Sequence, residues 1–326
     1  MKARRFVLTP TDLLLLLMIL IWAGNYSIVK ITIREIPPLG FNSLRLTLAS
    51  LLFLASLAGA RGPHGPGNRS ESPHVPGRGR WFASAHAISG RDWTAIAAFG
   101  VLGHFIYQLC FLGGLARTTV SNSALILGCS PVAVTFLSAA VGHERVSARH
   151  WIGAFLSLAG IYLLAGRGAG LSQSTLTGDA LCLAAVACWT IYTVASRPLL
   201  TRHSPRVVTG YSMAIGTLLY VPFGMPDLRR LDWGAVSATS WLALSFSAVF
   251  ALYVAYLIWY TSVQRVGNVR TSIFSNLLPV LSMAIAAVWL GERFTPADLG
   301  GAAAILGGVA LTRFGRPQDA AIPPEE

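Results

Sequence analysis

The residues of this sequence that could do chemistry are polar side chains set inside apolar stretches, because hydrocarbon tolerates them only beside a protein partner or water. Asn25 and Tyr26 interrupt the run LLLLLMILIWAGNYSIVK, and Arg45 lies near the start of the next apolar stretch. His104, Tyr107 and Gln108 fall within about one helical turn. Trp189, Tyr192, Tyr253, Tyr256, Ser130 and Asn276 place further indole, phenol, hydroxyl and amide groups at depth. Such a set supports recognition: an arginine attracts a carboxylate or phosphate, and amides and hydroxyls hold a neutral or zwitterionic molecule. It does not support catalysis. The sequence has no phosphate-binding loop, no paired catalytic carboxylates, no nucleophile elbow and no His-Glu-x-x-His, so no catalytic residue and no enzyme activity are expected.

Each of these groups also has a structural reading. Asn25 could bond a neighbouring helix, Arg45 could reach the interface with its long stem, and the aromatic residues could pack or anchor in a headgroup belt. Pro131 and Pro279 each remove a backbone donor in mid-helix, which makes a kink that serves either packing or a hinge and cavity wall. Carboxylates are confined to segment starts (Asp12, Asp179) and turns (Glu144, Glu292). With no buried carboxylate relay, His104 is the one deep group that titrates near neutrality.

The elements that must position these groups are membrane helices. Hydrophobic residues make up 54% of the chain and charged ones 12%, with a mean hydropathy of +0.59, too little polar surface for a water-soluble globule of this size. Ten stretches have the length of about 20 apolar residues that a spanning helix needs. They cover residues 12–33, 39–59, 93–116, 120–142, 149–166, 177–196, 206–224, 238–262, 268–290 and 297–314. The first follows Lys2, Arg4 and Arg5 as a signal peptide would, but further apolar segments follow it, so it reads as a first span.

The formal charge of +12 would suggest nucleic acid in a soluble protein. Here the basic residues gather in the tails and alternate connections, including Arg61, Arg69, Arg78, Arg80, Arg91, Arg145, Arg202, Arg206 and Arg313. That asymmetry predicts both termini in the cytoplasm and no nucleic-acid partner. Cys110, Cys129, Cys182 and Cys188 all lie in apolar segments without Cys-x-x-Cys spacing, and read as small buried hydrophobes. The connection over 60–92 is rich in Gly, Pro, Ser and Arg and reads as a mobile linker. Its His64, His74 and His86 lack metal-ligand spacing, and no metal or other cofactor is expected.

The chain also repeats itself. VSNSALILGCSPVAVTFLSAAVGHERVSARHWIGAFLSLAGIYLL aligns without a gap to NVRTSIFSNLLPVLSMAIAAVWLGERFTPADLGGAAAILGGVALT at an offset of 148, pairing Pro131 with Pro279 and Glu144 with Glu292. Asp12, Trp22, Lys30 and Pro38 match Asp179, Trp189, Arg197 and Pro205 at an offset of 167. Two units follow, 12–166 and 177–314. Five helices is an odd number, so the second unit enters the membrane inverted. The Glu-Arg pairs sit in turns and are assigned to topology and helix ends. Gly153 and Gly160 in the fifth helix, and Gly300, Gly301, Gly307 and Gly308 in the tenth, allow close helix contact.

These features together resemble a known family. WAGNYSIVK, PPLGFNSLR and the repeated proline, Glu-Arg and glycine pattern are similar to the EamA-type branch of the drug/metabolite transporter superfamily, over Asp12 to Phe314 apart from the 60–92 loop. Trp22, Asn25, Arg45, Pro131, Glu144, Pro279 and Glu292 match the family pattern by position; the long basic loop departs from it. The resemblance implies an all-α membrane protein of ten transmembrane helices in two inverted five-helix repeats. It implies a central cavity lined mainly by helices 1, 3, 4, 6, 8 and 9, with helices 5 and 10 peripheral. Members of that branch move small metabolites, often amino acids, commonly outward across the bacterial inner membrane. The expected partners are a small-molecule substrate and membrane lipid, with a monomer and a homodimer both open. A multidrug or lipid-linked flippase, a membrane-embedded enzyme and a scaffold remain alternatives.

Overall fold

A computed structural model describes residues 9–59, 87–118, 126–144, 146–165, 176–290 and 295–313. Among these, the chain forms α1 (Pro10–Thr32), α2 (Pro38–Gly59), α3 (Gly90–Leu115), α4 (Ile126–Ala140), α5 (Ala148–Ala165), α6 (Leu176–Arg202), α7 (Pro205–Arg230), α8 (Ala238–Val266), α9 and α10 (Pro296–Arg313). α9 runs as Asn268–Ile273, a 3₁₀ turn Phe274–Asn276, and Leu277–Leu290. No strand occurs among the described residues. Five helices, α2, α3, α6, α7 and α8, are long and apolar enough to cross a membrane; the apolar parts of α1, α4 and α10 are shorter.

Local chemistry sets the starts. Proline opens α1, α2, α7 and α10, where its missing N–H costs nothing. Ser89, Ser204 and Ser237 cap α3, α7 and α8 by accepting from the N–H of Asp92, Val207 and Ser240. Thr9 and Asp12 cap α1 reciprocally, Asp12 N–H donating to the Thr9 hydroxyl at 3.3 Å and Thr9 N–H to the Asp12 carboxylate at 2.9 Å.

Two boundaries differ from the expectation. Pro222 and Pro226 read as loop signals, yet α7 continues through both to Arg230, and α6 continues through Pro198 to Arg202. A helix with neighbours on several sides keeps enough of its ladder to absorb a proline as a kink. The fragments of the 60–92 linker up to residue 86 lie outside the described residues.

The distribution of residues is inside-out. Leu218 is 75% exposed, Leu242 72% and Phe136 64%, whereas Asn42, Arg45, His104, Gln108 and Asn268 are buried. Water would reverse that order; lipid accounts for it. Lipid also removes the usual drive to bury apolar surface, so helices associate through close backbone approach. α5 and α10 do so at Gly153, Gly160 and Gly308: a Cβ on Gly160 would stand 2.6 Å from the Gly301 carbonyl. Gly300 meets nothing, so it faces away from α5, whereas Gly307 touches α5 only at the end of Leu156, at ordinary contact distance.

α2 lies along α7, and α5 along α10. α2 also packs on α8 as α7 packs on α3, α1 on α8 as α6 on α3, and α1 on α9 as α6 on α4. At one end, the turn after α1 reaches α8: Glu35 accepts from the Ser237 N–H at 2.8 Å and its hydroxyl at 3.0 Å. The Ser237 N–H, with the Ser240 and Ser237 hydroxyls, holds the Glu35 carboxyl below its ordinary value. A carboxyl so depressed adds stability that is present above the ordinary carboxylate range and is lost as pH falls through its lowered folded value. Thermal melts in detergent are expected to lose stability on that acid limb, and Glu35→Gln to flatten it; an identical limb in the variant counts against the assignment.

Candidate functional site

Arg45 stands on α2 facing α3 and α8. Its Nε donates to Asn42 Oδ1 at 2.6 Å, one nitrogen to Ser247 Oγ at 3.2 Å and the other to Gln108 Oε1 at 3.5 Å. Asn42 Nδ2 reaches the same Gln108 oxygen at 3.4 Å, and the guanidinium lies 5.4 Å from the Phe41 ring. Every one of these partners is neutral, and Arg45 is only 7% exposed. A buried cation ordinarily sits beside a carboxylate, and among the described residues none is within ion-pair distance of this one.

Both helices that hold Arg45 are wound irregularly there. α3 adopts π-helical geometry over Gly100–Ile106 and α8 over Ser247–Val254, so Gln108 follows one such stretch and Ser247 opens the other. π segments widen a helix and recur at functional sites. Small residues permit the first: a Cβ on Gly100 would lie 2.6 Å from the Ser212 carbonyl of α7. The Trp22 indole donates to the Ala251 carbonyl inside the second, at 3.0 Å.

Beside this network lies an aromatic cluster from four helices. Trp189 of α6 sits 6.1 Å from Trp22, 5.2 Å from Trp259, 5.8 Å from Tyr256 and 5.5 Å from Tyr107, centroid to centroid. His104 is 5.6 Å from Tyr256, and its Nε2 pairs with the Tyr192 hydroxyl at 3.0 Å, which in turn meets Ser212 Oγ at 3.0 Å. His104 Nδ1, Trp259 Nε1 and Thr190 Oγ1 are buried with no hydrogen-bond partner among the described residues. Polar atoms in that condition are available to a ligand or to water.

Of the residues singled out from sequence, Arg45, His104, Tyr107, Gln108, Trp189, Tyr192 and Tyr256 come together here. Tyr253 instead packs on Phe53 at 4.6 Å. Ser130 donates to the Leu127 carbonyl of its own helix at 2.6 Å. Asn25 is half-buried, its Oδ1 without a hydrogen-bond partner among the described residues, and Asn276 is buried in the 3₁₀ turn of α9. The Tyr26 side chain lies outside the described residues, as do Asn122, Ser123, Arg145, Glu292 and Arg293. Pro131 follows the turn at Cys129, and Pro279 follows the 3₁₀ turn, so each proline stands just beyond a break in its helix. Sequence reasoning missed Asn42, Ser247 and Ser212. Asn42 was within reach, three residues before Arg45 on the same helical face; Ser247 and Ser212 are distant in the chain and carried no signal.

The EamA-like transporter family model matches residues 9–166 and again 176–314. The chain belongs to that family. An "Uncharacterized transporter" of Archaeoglobus fulgidus is 26% identical over 87% of this chain and 91% of its own length. A "Probable terminal-alkyne amino-acid exporter" of Streptantibioticus cattleyicolor is 26% identical over 95% and 96%. A "Probable amino-acid metabolite efflux pump" of Escherichia coli is 25% identical over 93% and 94%. One crystal structure, 21% identical, covers 92% of this chain and 95% of its own with a TM-score of 0.72, a likeness of fold. As an EamA-family member with membrane-crossing helices, the protein is an integral membrane transporter.

Proposed function

We propose that this protein is a secondary transporter that exports a small carboxylate-bearing zwitterion, an amino acid or close relative, across the bacterial inner membrane by alternating access. The observation that carries the reading is Arg45, a buried guanidinium held by neutral partners on three helices, with no carboxylate within ion-pair distance among the described residues. A substrate carboxylate completes it. The substrate class also draws support from relatives named as amino-acid exporters and efflux pumps.

In this reading ten helices cross the membrane as two inverted repeats, 12–166 and 177–314, with both termini in the cytoplasm. The pairing of α2 with α7 and α5 with α10, and the matching of α2–α8 with α7–α3, α1–α8 with α6–α3 and α1–α9 with α6–α4, support it. So do the π stretches at equivalent places in α3 and α8. A carboxylate at Arg45 draws on Gln108 and Ser247 together, and so couples one helix of each repeat to occupancy.

The test is release of radiolabelled L-amino acids, supplied as a mixture, from vesicles carrying the purified protein. At least one is expected to leave faster than from protein-free vesicles; no acceleration of any sinks the amino-acid reading. Pro131→Ala and Pro279→Ala are each expected to slow that release, since each proline follows a break about which its helix can bend. Unchanged flux in both removes the hinge.

A further inference from the structure

The turn after α4 carries a contact that substrate recognition does not use. Glu144, 6% exposed, accepts from the Asn268 N–H at 2.6 Å and from the Val269 N–H at 3.4 Å, at the start of α9. Arg197 of α6 pairs with the same carboxylate at 3.2 Å and donates to the His143 carbonyl at 2.6 Å. Burial pushes the Glu144 carboxyl above its ordinary value, against the pull of Arg197 and the two N–H groups. Gly267 makes the approach possible: its φ of +87° suits glycine, and a Cβ there would stand 2.9 Å from Glu144 Oε1. Arg270, one turn into α9, reaches Asp12 of α1 at 3.5 Å. The start of α9 is thus held from both sides, at the end of the bundle where α1 begins.

Around this clasp the polar groups are not all satisfied. Asn268 is fully buried, yet neither its Oδ1 nor its Nδ2 has a hydrogen-bond partner among the described residues; Thr271 Oγ1, His143 Nδ1 and Ser138 Oγ are in the same condition. Buried polar groups in a permanent contact are nearly always paired. Groups left unpaired in one arrangement favour a second in which water reaches them. α9 is built to supply that second arrangement, because its first segment ends at the Phe274–Asn276 turn, with Pro279 just beyond.

We propose that Glu144 is a gate residue: its clasp on the start of α9, shared with Arg197, closes the transport path at the end where α1 begins, and its release opens that end. The inference rests on the alternating-access reading. The test uses the full chain with its four cysteines replaced by alanine and one reporter added, either Thr271→Cys at this end or Ser43→Cys toward the other. Both positions are buried in the clasped state. Reconstituted vesicles are labelled with a membrane-impermeant maleimide from each side.

Glu144→Gln and Arg197→Gln are each expected to raise labelling at the Thr271→Cys reporter by roughly tenfold, the change that loss of one hydrogen bond to a charged group makes in an equilibrium. Labelling at the Ser43→Cys reporter, already buried in the clasped state, is expected to stay low in the same variants, and the double variant to raise the Thr271→Cys reporter no further than either single one. Unchanged labelling overturns the proposal. So does labelling that rises at both reporters together with a lower melting temperature, the signature of a cap that only holds the fold. If, in the protein with native Glu144 and Arg197, labelling of the Thr271→Cys reporter never changes on addition of the amino-acid mixture, alternating access itself falls and the gate with it.

Discussion

Replacing Arg45 with glutamine is expected to cut efflux of a carboxylate-bearing amino acid by about 10- to 100-fold, the loss of one charge-assisted hydrogen bond at about 1.5–3 kcal/mol, while the melting temperature holds or rises. The two outcomes pull apart because, among the described residues, no carboxylate is paired with the charge. Asn42, Gln108 and Ser247 are neutral, so removing the guanidinium strands no buried carboxylate, and the cost of keeping a cation under 7% exposure disappears. The methyl ester of the same amino acid, which offers no anion, is expected to move at the same rate in both proteins. Arg45→Lys is expected to fall between them, since an ammonium supplies charge without the fork that bonds two oxygens at once. Initial rates from preloaded vesicles check the three flux outcomes, and thermal melts in detergent the fourth. Equal losses for acid and ester, together with a lower melting temperature, make Arg45 a structural residue.

Much of this site was legible in the sequence because membranes make polar residues conspicuous. Arg45, His104, Gln108 and Tyr192 stood out against apolar neighbours, and α2, α3 and α6 do bring them together. What could not be read was the partner across helices. Ser247 is an ordinary serine among apolar residues until α8 winds into a π stretch and turns it toward Arg45. Glu144 is the sharper case. Its match to Glu292 and its place in a turn assigned it to a helix end, and it does serve one, but the helix is α9, more than 120 residues further along. Polar residues at span boundaries are common, so position alone gave no reason to separate a solvated turn from an inter-helix clasp. Helix boundaries failed at the ends of α6 and α7, where Pro222 and Pro226 read as loop signals yet the helices continue through Pro198, Pro222 and Pro226, because neighbouring helices compensate a kink that would end a helix in water.

The π stretch of α3 itself depends on a glycine of another helix, and a single methyl group is expected to unseat it. Gly216 of α7 lies where α3 passes: a Cβ there would stand 2.5 Å from the Gly100 carbonyl and overlap the His104 Cβ. Neither neighbour can move aside, since one is backbone and the other is fixed to it, so α3 and α7 must separate. Gly216→Ala is therefore expected to destabilise the protein by about 3 kcal/mol, the upper part of the usual overpacking cost. Separation also draws Ser212 and Tyr192 away from His104, and shifts Gln108 relative to Arg45. Flux of the carboxylate substrate should fall with stability in Gly216→Ala, whereas in Arg45→Gln it falls without it. Gly300→Ala is the matched control, because nothing lies within 4 Å of its added methyl. Melting in detergent separates the pair. A Gly216→Ala protein as stable as Gly300→Ala places α3 and α7 further apart than the π stretch requires.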